Sequence, residues 1–71
     1  MRIATVGSKV ILQRAIGGFP AGSICDVIAR ELHDDQRGLE FVLKPRTGGG
    51  PIALDEANLV EGGFPFVLLN Y

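Results

Sequence analysis

The 71-residue chain reads as a mainly β domain, and three observations point there. Ten glycines, about twice the usual share of roughly 7%, divide the chain into short apolar stretches with turn signals between them. Leu39-Glu40-Phe41-Val42-Leu43-Lys44 alternates with period two, Leu39, Phe41 and Leu43 on one side and Glu40, Val42 and Lys44 on the other. Lys9-Val10-Ile11-Leu12-Gln13-Arg14 is rich in β-branched residues, alternates in the same way and stops at Gly17-Gly18.

Both of these stretches are assigned as strands. Arg2 to Val6 has a weaker version of the same character and is read as the start of the first strand or as a partner for another edge. Pro45-Arg46-Thr47-Gly48-Gly49-Gly50-Pro51 is a loop, because its prolines lack backbone donors and its glycines admit positive φ. Ile52-Ala53-Leu54 is a short returning strand. Asp55 to Leu59 offers an Asp cap and good helix formers, with room for one turn of 3₁₀ type. The tail, Phe64 to Tyr71, is extended, since Pro65 blocks regular helix and aromatic and aliphatic residues follow it.

Residues Ser23 to His33 support two readings. As a helix, Ser23 is the N-cap, Asp26 sits at N3, and Ile24, Val27, Ile28 and Leu32 form a stripe at i, i+3, i+4 and i+8. The fold would then be α+β. As a strand, the segment draws on the β-branched run Ile24 to Ile28, with the turn Pro20-Ala21-Gly22-Ser23 before it and a polar, Gly-ended hairpin, His33 to Gly38, leading into Leu39. Spacing favours the helix, whereas the neighbouring elements favour the strand.

The order "GSKVILQRAIGGFPAGSICDVIA", "GLEFVLKP", "IALDEANLVE" over Gly7 to Glu61 resembles small SH3-like β-barrels. The resemblance implies a strand, a long loop closed by a Pro-Ala-Gly-Ser turn, a hairpin, and a short polar turn before the last strand. On that reading a barrel occupies about residues 2–61 of one domain spanning 1–71, and the apolar tail 64–71 is an added C-terminal strand. The barrel hosts many unrelated functions, so it implies no activity.

Composition narrows the function classes. A chain this short buries only about 60% of the surface exposed on unfolding, so packing or oligomerisation must supply its stability. Cys25 is the only cysteine, which excludes an intramolecular disulfide and leaves one thiolate for a zinc site. Set among apolar neighbours, it reads as a small buried hydrophobe suited to a reducing cytoplasm. Net charge is −1 without a basic block, which argues against a nucleic-acid partner. The longest apolar run, Phe66 to Leu69, is far below the roughly 18 residues of a membrane span, and Met1 to Val6 is too short for a secretory signal. The expectation is a soluble cytoplasmic protein.

No constellation for catalysis stands out. Ser8, Ser23, Cys25 and His33 have no spacing that links nucleophile to base, and Asp55-Glu56 reads as turn capping. Gly48-Gly49-Gly50 lacks the Gly-Lys-Ser/Thr end of a phosphate loop and reads as a loop tip. His33-Asp34-Asp35 reads as a solvated turn, since adjacent side chains diverge and no second histidine exists. No metal and no cofactor are expected.

In the tail, Phe64, Phe66 and Leu68 face one way and Val67, Leu69 and Tyr71 the other, so both faces are apolar. Two readings stay open: a buried closing strand, or a segment that pairs with another chain. The favoured function is a non-enzymatic binding or assembly module making protein–protein contacts or a homo-oligomer, with Phe19, Phe64, Phe66 and Tyr71 as binding positions. For Phe19 a plug at the end of the barrel is an equal reading. The alternative from a different class is an anion-binding protein or accessory enzyme subunit, using Arg14, Arg46 and the Gly-rich loop.

Overall fold

The computed structural model describes residues 4–58 and 63–69. Five strands form one antiparallel sheet: β1 (Lys9–Leu12), β2 (Ile24–Leu32), β3 (Leu39–Pro45), β4 (Ile52–Asp55) and β5 (Phe66–Leu68), in the order β4-β3-β2-β1-β5. Among the described residues one 3₁₀ turn, Glu56–Asn58, lies between β4 and β5. It begins at Glu56, directly after Asp55, the cap candidate of the sequence, which also pairs with Glu40 as the last residue of β4. Leu59 and Tyr71 lie outside the described residues.

The disputed segment is strand. The Ser23 hydroxyl donates to the Pro20 carbonyl at 2.7 Å, so it closes the Pro20 to Ser23 turn and caps no helix. Beyond it, β2 pairs with β1 through Ile24 to Asp26 and with β3 from Cys25 to Leu32. Pairing with strands on both sides outweighs a local helical spacing, which carries no tertiary contacts of its own. The first strand is shorter than 9–14, and Ala4 to Val6 is not strand. After Gln13, whose N–H still donates to the Pro65 carbonyl at 2.8 Å, the chain leaves the ladder towards a two-residue turn at Gly17-Gly18. There Ile16 and Phe19 exchange both backbone hydrogen bonds, and the turn needs positive φ at both glycines, 56° and 87°.

A β-bulge at Ile28 governs the face pattern of β2. The register steps from Val27 opposite Leu43 to Ala29 opposite Val42, leaving Ile28 without a partner. Before the bulge Cys25 and Val27 face inwards; after it the same side of the sheet passes to Arg30 and Leu32, opposite Phe41 and Leu39, where both are exposed. One extra residue thus inverts the alternation. The inward set Val10, Leu12, Cys25, Val27, Phe41 and Leu43 is almost wholly buried.

The expected closed barrel is corrected to an open sheet. Among the described residues β4 pairs only with β3 and β5 only with β1. Side chains close the gap instead. In a flat sheet β3 and β5 would stand three strand spacings apart, about 14 Å. Yet the Phe41 ring meets Phe66 at 5.4 Å and Phe64 at 5.0 Å, both edge-to-face. The sheet therefore coils until β3 and the edge strand β5 share one aromatic seam. Packing over this seam can substitute for the missing ladder, each such pair contributing about 0.5–1.5 kcal/mol beyond burial. Among the described residues, no helix is long and apolar enough to cross a membrane.

Candidate functional site

The three aromatic positions named from sequence that fall among the described residues all pack on the core. Phe64 and Phe66 pack against Phe41 and the core. Phe19 is half-buried and also packs on the core, and its ring lies over Gly49, where a Cβ would come within 2.9 Å of the ring. With φ at +94°, Gly49 is therefore the one residue type that suits both the backbone and the ring above it. Its place in the Gly-rich loop has a packing cause. The two arginines sit in different settings: Arg14 donates to the Gly63 carbonyl at 3.3 Å, and Arg46 reaches both carboxylate oxygens of Asp26 at 3.2 and 3.3 Å.

Turning Phe64 and Phe66 inwards leaves alternate residues outside. Ile11 on β1 lies opposite Ile24 on β2 and opposite Val67 on β5, and all three are on the face away from Val10 and Leu12. They form an apolar row across three strands, with Val67 42% exposed at the sheet edge. A polar row runs beside it, in which Asp26 lies opposite both Lys9 and Lys44 and is paired with Arg46. Beyond Val67, the outer edge of β5 has no strand partner among the described residues.

Cys25 is fully buried, and desolvation, with the Asp26 charge adding to it, pushes its thiol pKa up. It stays a protonated apolar side chain at neutral pH and is a poor nucleophile.

A third group gathers at the far end of the β2–β3 hairpin. Glu31 lies opposite Glu40, and Glu40 lies opposite Asp55, so carboxylates occupy one row across three strands. His33, two residues beyond Glu31 and so on the same face, brings Nε2 to 2.9 Å from Glu40 Oε1. Sequence reading grouped His33 with Asp34 and Asp35, whereas its structural neighbours are Glu31 and Glu40. In the turn, Asp35 accepts from the Arg37 side chain and backbone, which lowers the Asp35 pKa and raises that of Arg37.

No family model, curated protein or solved structure matches the chain.

Proposed function

We propose that the chain is a small, non-enzymatic binding or assembly module that works by protein–protein contact and self-associates through β5. The observation that carries this reading is the row Ile24, Ile11 and Val67 ending on an edge strand, since such an edge offers both apolar area and unpaired backbone groups to a second chain. Two β5 strands from two copies can pair antiparallel and bring their apolar rows side by side. The neighbouring charged row, Lys9, Asp26, Lys44 and Arg46, supplies the polar rim that such contacts have. The strand order with a 3₁₀ turn ahead of β5 supports an SH3-like module, although closure rests on side chains. An anion at Arg46 would have to compete with Asp26, which makes the anion-binding reading the weaker one.

The test is molar mass by light scattering across a concentration series. A mass rising above 7.6 kDa, returned to 7.6 kDa by Val67→Lys with the circular dichroism of the folded chain retained, supports self-association. A wild-type mass of 7.6 kDa at every concentration overturns it.

A further inference from the structure

We propose that Glu31, His33 and Glu40 bind a divalent first-row transition ion, with Zn²⁺ as the representative. One donor atom from each residue lies within 4.8 Å of the other two. The placement follows from strand geometry. Glu31 and His33 are two residues apart on one edge of the hairpin, and Glu40 faces Glu31 across it, so the three side chains rise from one face. The hairpin that holds them is pinned by the His33 N–H donating to the Gly38 carbonyl at 2.8 Å and by the Asp35–Arg37 pair in the turn.

Donor chemistry selects the ion. One imidazole nitrogen with two carboxylates suits Zn²⁺ and its neighbours, while Mg²⁺ and Ca²⁺ take oxygen ligands. Ligand bonds of 2.0–2.1 Å in a tetrahedron set donors about 3.4 Å apart, so the widest pair here has to close by roughly 1.4 Å. Rotation of the exposed Glu31 side chain can supply that movement. His33 and Glu40 are half-buried, with side chains 12% and 22% exposed, and already touch. The three protein ligands leave a fourth position for water.

Charge supplies the second argument. Two glutamates placed directly opposite each other repel. The guanidinium of Arg37 is paired with Asp35 and also lies close enough to Glu40 and Asp55 to offset part of this repulsion. A bound dication would neutralise the Glu31–Glu40 pair and turn a destabilising contact into a stabilising one. This inference does not depend on self-association through β5, which β1 separates from the β2–β3 hairpin in the sheet order.

The test uses the untagged full chain, Zn²⁺ titrated by calorimetry, and NMR of the imidazole, which reports alone because His33 is the only histidine. The expected result is one saturable site per chain, with the His33 ring resonances shifting as it fills and Mg²⁺ leaving them in place. His33→Gln and Glu40→Gln each lower zinc affinity by at least about tenfold, since even residues that merely support a metal ligand cost about 10- to 100-fold. Cys25→Ser leaves the affinity unchanged. The proposal is overturned if the wild-type imidazole resonances stay in place at millimolar zinc, if His33→Gln binds zinc as the wild type does, or if binding is lost in Cys25→Ser. The wild-type spectrum decides even where a variant fails to fold.

Discussion

The two ends of the β2–β3 pair are built from the same two strands and do opposite things. At one end Cys25 and Val27 meet Pro45 and Leu43, and these residues are buried under β1 and the tail. At the other, Glu31 meets Glu40 and Leu32 is 75% exposed. Strand propensity does not separate them, since Leu32 and Leu39 are as apolar as the residues inside. What separates them is coverage. β1 pairs with β2 only through Asp26, so past the Ile28 bulge β2 is paired with β3 alone. A small sheet can thus keep a packed end and an exposed polar end on one continuous pair of strands, the first suited to stability and the second to ligands.

The largest expected effect strikes the packed end. Phe41 is buried and touches both tail phenylalanines, so Phe41→Ala removes the seam that joins β3 to β5. A loss of about 3–5 kcal/mol is expected, enough to unfold much of a small domain, as read by chemical denaturation. Gly49→Ala comes next. It forces a side chain into positive φ and against the Phe19 ring, with an expected cost of about 1–2 kcal/mol by the same measurement. A smaller cost, below about 1 kcal/mol, is expected for Asp26→Asn, because its pair with Arg46 is largely exposed.

The buried thiol gives a pH test of the packed end. Its pKa is raised in the folded chain, so the folded state resists ionisation; stability is held at neutral pH and falls as alkaline pH ionises the unfolded thiol. Alkylation of Cys25 by iodoacetamide at neutral pH should accordingly proceed only as fast as the chain opens. Rapid labelling of the native protein would show that the packed end is accessible.

Much of this division was legible in the chain. The alternation at Leu39 to Lys44 and the β-branched run at Lys9 to Leu12 identify β1 and β3, and the turn chemistry at Pro20 to Ser23 and His33 to Gly38 frames β2. The helical spacing of Ile24, Val27, Ile28 and Leu32 marks no single face of the fold: Ile24 faces outwards beside Ile11, Val27 faces the core, and Ile28 is the unpaired residue of the bulge, whose extra residue disturbs period two beyond it. Closure by an aromatic seam was not legible, because it depends on how far the sheet coils. The Glu31, His33 and Glu40 group was hidden for a related reason. Glu40 faces Glu31 only in the register set by the bulge and turn, and no spacing along the chain records it.

Residue-resolved amide hydrogen exchange, with and without Zn²⁺, tests the division most directly. Val10, Cys25, Val27 and Leu43 are expected to exchange only through global opening, the amides of Glu31 and Glu40 through a cheaper local opening, and Zn²⁺ to slow exchange at the hairpin end well beyond its effect on the core. Uniform protection along β2 and β3, unchanged by zinc, would contradict that division.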